Sequence, residues 1–139
     1  MAAPLDERQL TGLADTHLVT MPSGHRLVGE VAEAFAALRR DAASAGFDLA
    51  IASSFRSFSR QLAIWNGKAA GRRPVLDDSG DEVQVRALEP GQLLRAILRF
   101  SAIPGASRHH WGTDMDVFDG SAMPEDYQLQ LSPREVASG

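Results

Sequence analysis

The stretch from Ser107 to Asp119 carries side chains that could do metal chemistry. Its thirteen residues hold two of the four histidines and three aspartates. After residue 113 apolar and polar residues alternate, which predicts a strand that buries Met115 and Val117 against a core. Asp114 and Asp116 would then project from the opposite face of that strand. The stretch therefore offers imidazoles and carboxylates close together in the chain.

His109 and Asp116 are the pair that we interpret as half of a zinc site. They lie seven residues apart, an odd separation that a straight strand would place on opposite faces. Gly112 lies between them and permits a turn or bulge that could bring the imidazole and the carboxylate together. This mixed nitrogen and oxygen pair suits zinc, although a catalytic zinc site usually has three protein ligands. The alternative interpretation is a solvated loop without a metal.

Composition indicates one globular domain. The 139 residues suffice for a core of their own, and 44% of them are hydrophobic and 23% charged. The net charge of −4 gives no electrostatic reason to expect nucleic acid, and no basic run indicates a membrane surface. The chain has no cysteine, which excludes disulfides and thiolate ligands. The N-terminus has no long apolar run, so we expect no secretory signal or membrane span and a soluble, cytoplasmic chain as given.

Helical spacing of apolar residues predicts a first helix over residues 27–42, with Ser23 as N-cap and Gly46 as its end. Its predicted core face consists of Leu27, Val31, Ala34, Phe35, Leu38 and Ala42. The first twenty-five residues or so are predicted to be loop, with a short turn at residues 6–13, and His17 and His25 are interpreted as surface residues.

Arg56 is predicted to stand at the junction between a strand and a second helix. Alternation over residues 47–51 predicts the strand, and Ser57 is a plausible N-cap for a helix over residues 58–70 that Gly71 ends. Leu62 and Trp65 are predicted to face the core. A rigid junction could aim Arg56 at a substrate carboxylate or a developing oxyanion, and the alternative is a surface arginine. Gln61, one turn into the helix, either lies near the same cleft or is solvated.

Residues 71–106 are predicted to form a hairpin and a third helix. The hairpin pairs Val75-Leu76 with residues 83–85, and the acidic run at 77–81 is interpreted as a solvated turn because it lacks the ligand spacing of a calcium loop. Pro90 opens the third helix. Its predicted apolar face consists of Leu93, Leu94, Ile97, Leu98 and Phe100.

Two motifs give the chain a resemblance to a known family. Ser53-x-Phe55-Arg56-Ser57, followed roughly fifty residues later by Ser107-x-His109-x-x-Gly112-x-x-x-Asp116, resembles the VanY-type D-alanyl-D-alanine carboxypeptidases over about residues 27–131. These are zinc peptidases that share the fold of the hedgehog signalling domain. We expect a single α+β domain with about three helices on a small, mainly antiparallel sheet. The resemblance implies D,D- or L,D-carboxypeptidase action on the cell wall, on a peptidoglycan stem peptide that ends in a D-amino acid.

The resemblance also implies roles for five residues: zinc ligation by His109 and Asp116, oxyanion stabilisation by Arg56, and substrate contact by Ser107 and Gln61. Asp114 stands where the family has a small residue, and we expect it to orient a neighbouring histidine. A phage-type L-alanyl-D-glutamate endopeptidase is a related alternative. A non-catalytic module that binds wall peptide or metal is the alternative from another class.

Two parts of the family pattern have no counterpart in this sequence. The family's third zinc ligand is a histidine in a C-terminal Trp-His pair, and its base is a glutamate shortly before that pair. Here the last histidine is His110, whose side chain an extended segment would point away from that of His109. Only Glu125 and Glu135 follow Asp116, and neither stands in the family's context.

The last residues predict the beginning of a further helix. Tyr127, Leu129 and Leu131 alternate as a strand, and the run 132–135 has the form of a capping box, with Ser132 as N-cap, proline next and Glu135 at the third position. Only four residues follow that run. We therefore expect an inactive fragment of a longer peptidase that holds zinc poorly. Uncovered apolar surface near residues 127–131 would favour self-association.

Overall fold

The protein is an α+β domain, as predicted. The computed structural model describes residues 3–130 and 133–138. Its helices and strands, in chain order, are α1 (Glu7–Leu10), β1 (Leu18–Thr20), β2 (Arg26–Val28), α2 (Gly29–Ser44), β3 (Leu49–Ser53), α3 (Phe58–Ala69), α4 (Pro90–Leu98), β4 (Asp116–Asp119) and α5 (Pro133–Ser138). Short 3-10 helices span Val85–Ala87 and Arg108–Trp111. Among the described residues β1 pairs with β2 and β3 with β4, both antiparallel.

The β3–β4 pair is the element that positions the site. Ser53 lies opposite Asp116, and a register shift between Ile51 and Ser53 marks a bulge at this end of the pair. The strand predicted from residue 113 begins only at Asp116, and residues 113–115 connect it to Gly112 without regular secondary structure. The predicted burial of Val117 is wrong, since this side chain is 39% exposed. It lines a shallow groove beside the C-terminal segment instead of the core.

The N-terminal region is more ordered than predicted. Asp6 caps α1 through a capping box with Gln9, and β1 and β2 form a hairpin that turns at Gly24, whose φ is +87°. Because residues 26–28 are a strand, α2 begins at Gly29 and the prediction of Ser23 as its N-cap is wrong. The end of this helix near Gly46 is confirmed, with that glycine at φ +91°.

The core contains fewer of the predicted residues than expected. Leu27 and Phe35 are buried, but Leu27 reaches the core from β2, and Leu38 on α2 is 54% exposed. Helix α3 is capped by Ser57, whose Oγ accepts a hydrogen bond from the backbone N–H of Arg60 at 3.1 Å. Its buried positions include Ile64, whereas Leu62 is 40% exposed and was wrongly predicted to face the core.

The remaining elements follow the predictions in part. Leu76 bridges to Glu82, so the hairpin is present, but residues 85–87 form a 3-10 turn and not a strand. Helix α4 begins at Pro90 as predicted and buries Ile97. Two of its predicted core residues, Leu94 and Leu98, are about half exposed.

The C-terminal segment differs from its prediction. Residues 127–130 are not a strand, and Leu131 and Ser132 lie outside the described residues, so the predicted N-cap is not seen. The six-residue α5 follows. The Glu135 carboxylate accepts hydrogen bonds from the Tyr127 hydroxyl and from the backbone N–H of Gln130. None of the described helices has the length and apolar character needed to cross a membrane.

Candidate active site

The turn from Ser107 to Gly112 brings His109 to the end of the β3–β4 pair. Ser107 is 4% exposed, and its Oγ accepts a hydrogen bond from the backbone N–H of His109 at 3.2 Å, which caps the 3-10 helix. Gly112 ends this helix at φ +72°. A Cβ at Gly112 would lie 2.2 Å from Cδ2 of Leu18. The Gly112 carbonyl accepts a hydrogen bond from the N–H of Val28 at 2.8 Å. The turn therefore requires glycine both for its conformation and for its close approach to β1.

His109 and Asp116 converge at the point to which this turn leads. Nε2 of His109 lies 3.1 Å from Oδ2 of Asp116, and Nδ1 lies 2.7 Å from Oδ1 of Asp114. The Ser53 hydroxyl also donates to Oδ2 of Asp116. Asp114 thus orients His109 from the side opposite Asp116, which is the kind of contact that fixes a metal-bound histidine.

The chemistry of this donor pair fits a divalent metal, but it supplies only two ligands. When Nδ1–H donates to Asp114, the Nε2 lone pair faces a carboxylate oxygen, an arrangement that a cation between the two atoms stabilises. Two donors about 2.0–2.1 Å from one tetrahedral ion lie roughly 3.4 Å apart, close to the observed 3.1 Å. The described part of the chain contains no group of three or more His, Cys, Asp or Glu side chains arranged to hold a metal.

His110 points away from this pair, as predicted, although residues 108–111 form a 3-10 helix and not the extended segment from which the prediction was made. It is fully buried, its Nδ1 lies 2.6 Å from the carbonyl oxygen of Arg56, and its Nε2 accepts the N–H of Gly105 at 3.0 Å. With Nε2 accepting, Nδ1 is the donor to Arg56. His110 therefore connects the turn of residues 107–112, called here the histidine turn, to the segment that carries Arg56.

Arg56 lies in the same cleft as His109 and Asp116. Its backbone N–H donates to the His109 carbonyl at 3.0 Å, and its Nη1 donates to Oε1 of Gln61 at 2.9 Å. Burial lowers the pKa of the Arg56 guanidinium, and the nearby Asp116 carboxylate opposes that shift. The guanidinium stays charged at neutral pH, since an arginine titrates far above it.

Gln61 is buried, so the prediction's solvated alternative is wrong. It is 1% exposed and donates from Nε2 to the Ala102 carbonyl at 2.7 Å while its Oε1 accepts from Arg56. This amide fixes the direction of the guanidinium. Contact between Gln61 and a substrate stays a prediction, as do the roles assigned to Ser107, Arg56, His109 and Asp116.

The cleft around these residues is open and has a volume of about 1250 Å³. Sequence reasoning missed one of its walls. His25 was interpreted as a surface residue, but it lines the cleft and its Nδ1 lies 2.9 Å from the buried Ser54 hydroxyl. His17 is also partly buried, with Nε2 3.0 Å from the Trp111 carbonyl. Recognition of the short β1–β2 hairpin would have placed His25 next to β3.

The chain is similar in sequence to known proteins over most of its length. Residues 24–138 match the family model described as VanY, D-alanyl-D-alanine carboxypeptidase. An uncharacterised protein of Haemophilus influenzae is 45% identical over 103 residues, which cover 71% of this chain and 70% of that protein. A second uncharacterised protein of the same organism is 51% identical over 37 residues, or 27% of this chain and 28% of that one.

Three solved structures share the fold. A vancomycin-resistance D,D-pentapeptidase VanY mutant from a VanB-type cassette, in complex with Zn(II), has a TM-score of 0.60 at 21% identity over 78% of this chain. VanYB in complex with D-alanine-D-alanine has a TM-score of 0.62 at 20% identity over 90%. The LD-carboxypeptidase LdcB has a TM-score of 0.54 at 22% identity over 76%. The chain spans 55%, 59% and 44% of the length of these three proteins.

Proposed function

Because this chain belongs to the VanY D-alanyl-D-alanine carboxypeptidase family, we propose that its cleft binds the C-terminal D-amino acid end of a peptidoglycan stem peptide. We propose further that the intact site is a zinc-dependent D,D- or L,D-carboxypeptidase. The neighbours in structure support both parts, because one VanY is a complex with Zn(II) and another with D-alanine-D-alanine.

The observation that carries the proposal is the convergence of three side chains in one cleft. His109 and Asp116 present a nitrogen and an oxygen 3.1 Å apart, and Arg56 opens into the same cleft from the end of β3. A pair of metal ligands beside a fixed cation suits hydrolysis of a peptide bond, since negative charge develops on the carbonyl oxygen and a cation stabilises it there. His109 and Asp116 would hold the zinc, which supplies Lewis-acid polarisation and lowers the pKa of water.

Neighbouring residues hold these groups in place. Asp114 accepts from Nδ1 of His109 and directs Nε2 toward Asp116. Gln61 directs the Arg56 guanidinium, which would donate to the oxygen of the scissile carbonyl as charge develops there. Because these contacts exist before a substrate binds, little reorganisation is needed during the reaction.

The second candidate function is binding of wall peptide or metal without hydrolysis. It is favoured by the donor set, since the described residues supply two metal ligands and no glutamate lines the cleft. Of the two glutamates after Asp116, Glu135 lines the separate groove beside β4. We propose that the chain as given hydrolyses its peptide slowly or not at all, because loss of a general base alone costs roughly 10²- to 10⁴-fold in rate.

Zinc titration by calorimetry, combined with binding and hydrolysis of a D-alanyl-D-alanine peptide, tests the proposal. We expect weak zinc binding that Asp116→Asn abolishes. Asp41→Asn is the matched control, because it removes the same charge from an exposed position on α2. Equal zinc binding by both variants would refute the assignment of the metal site. Tight stoichiometric zinc with rapid hydrolysis would refute the proposed inactivity of the chain.

A further inference from the structure

The walls of the cleft differ in how their charges are compensated. Five arginines and three aspartates line it, although the whole chain has a net charge of −4. Two of the arginines have carboxylate partners. Arg26 pairs with Asp15 at 2.9 Å, and Arg108 lies 3.8 Å from Asp114. The arginines that are paired with carboxylates therefore lie on the side of the cleft formed by the β1–β2 hairpin and the histidine turn.

The wall formed by α3 and the turn after it is not compensated. Arg56, Arg60 and Arg73 line this wall, and none of them forms an ion pair with a carboxylate in the part of the chain that the structure describes. Arg56 has a defined partner in Gln61. Arg60 and Arg73 are exposed and make no side-chain hydrogen bond to a described residue, so their donors are available to a ligand.

Arg73 is positioned by the end of α3. Its backbone N–H donates to the Gly67 carbonyl at 3.0 Å, and a Cβ at Gly67 would lie 3.0 Å from Cδ of Arg73. The aliphatic part of Arg73 therefore packs directly on the helix at a position where any other residue would displace it. Because this packing already restricts the Arg73 side chain, less conformational entropy is lost when its guanidinium binds a ligand.

The charges of this wall act on one another. Burial is the largest cause that lowers the pKa of Arg56; the Asp116 charge raises this pKa, and the smaller effects of Arg60 and Arg73 lower it. The pKa of Lys68 is lowered first by burial and then by the charges of Arg73 and Arg56. Mutual repulsion of this kind is relieved when an anion binds between the cations. The opposite wall carries Asp114 and Asp116, which disfavour a polyanion such as nucleic acid in the same cleft.

We propose that Arg60 and Arg73 form an anion subsite that binds a carboxylate in the body of the peptide substrate, separate from the chain-terminal group near Arg56. The inference rests on the proposed function, since it concerns the same peptide in the same cleft. A peptide brings one side-chain carboxylate to the arginine wall and its C-terminal end to His109 and Asp116, whereas a polyanion would bring repeated negative charge against both aspartates. Arginine forks suit a carboxylate because they donate two parallel hydrogen bonds to it.

The test compares synthetic peptides that end in D-alanyl-D-alanine and differ by one internal residue, Glu or Gln. One pair carries the difference third from the C-terminus and a second pair carries it fourth, and affinities are measured by calorimetry at low salt with zinc present. We expect the Glu peptide of at least one pair to bind about fivefold more tightly, as for an ion pair at a partly exposed site, and less so at high salt.

The variants assign that preference to residues. The double variant Arg60→Gln/Arg73→Gln should bind the Glu and Gln peptides equally and leave the affinity for the Gln peptide unchanged within about twofold. Arg72→Gln is the matched control, since Arg72 is an exposed neighbour that does not line the cleft, and it should keep the preference. Equal binding of Glu and Gln peptides by the unmodified protein, or a preference that survives in the double variant, would overturn the inference alone. Failure of all four peptides to bind would overturn the proposed function and this inference with it.

Discussion

Replacement of Gly112 by alanine should destabilise the fold by more than the cost of placing an alanine in a left-handed backbone conformation. At φ +72° an alanine costs roughly 1–2 kcal/mol. Its Cβ would also lie 2.2 Å from Cδ2 of Leu18, so that side chain must move, and overpacking adds about 1–3 kcal/mol. We expect a total of about 2–5 kcal/mol, at the lower end if Leu18 rotates freely. The same change should weaken zinc binding, since Gly112 sets the approach of His109 to Asp116.

Gly24→Ala provides the control for the conformational part. Gly24 has φ +87°, but no heavy atom lies within 4 Å of the Cβ that alanine would add. Urea unfolding should therefore give this variant a loss of only about 1–2 kcal/mol. Equal losses for the two variants would refute the role of the close approach. Adding Leu18→Ala to Gly112→Ala should remove the clash and make the two changes non-additive by about 1 kcal/mol.

Three further predictions concern the residues around the cleft. Arg56→Ala should weaken binding of a D-alanyl-D-alanine peptide roughly tenfold with zinc affinity unchanged, and unchanged peptide binding in calorimetry would count against its role. His110→Phe leaves the Arg56 carbonyl and the Gly105 N–H without their partners and should cost about 2–4 kcal/mol in urea unfolding, whereas a loss under 1 kcal/mol would contradict the contacts described. The Ser121 hydroxyl holds the pKa of Asp119 below the usual 3.8, so the Asp119 carboxylate stabilises the fold above about pH 3.8 and loses that contribution as the pH falls through its lowered pKa. In Asp119→Asn the free energy of unfolding should therefore fall less steeply as the pH is lowered, and an unchanged slope would refute the assignment.

Elements with local sequence signals were predicted correctly. Helix α3 has a serine N-cap at Ser57 and a glycine after its end, and α4 begins with Pro90. The ends of these helices are therefore determined by residues that lie next to them in the sequence. The convergence of His109 and Asp116 depended on Gly112, the residue whose left-handed conformation is visible in the sequence as a glycine. These are short-range effects that need no knowledge of the rest of the fold.

The errors arise where distant parts of the chain decide the outcome. Strands β1 and β2 have three residues each, too few for alternation to be recognised, and their pairing shifted the start of α2 and hid His25. In α2 the alanines make several faces almost equally apolar, so spacing alone did not reveal that Leu38 faces solvent. Gln61 was left open between cleft and solvent, because its two partners, Arg56 and the Ala102 carbonyl, come from different segments.

The backbone contacts at Arg56 have a consequence for the chain between the two motifs. The His109 carbonyl accepts the N–H of Arg56, and the His110 ring binds the Arg56 carbonyl. Residues 57–108 therefore begin and end next to each other, at a place where the two ends are hydrogen-bonded. The parts of this excursion that do not line the cleft can therefore change in length without moving the two motifs. Doubling a flexible loop costs only about 0.6 kcal/mol in closure entropy. The exposed turn at residues 77–81 is thus a place where evolution or an engineer can insert new sequence, even a small domain, and leave the cleft unchanged.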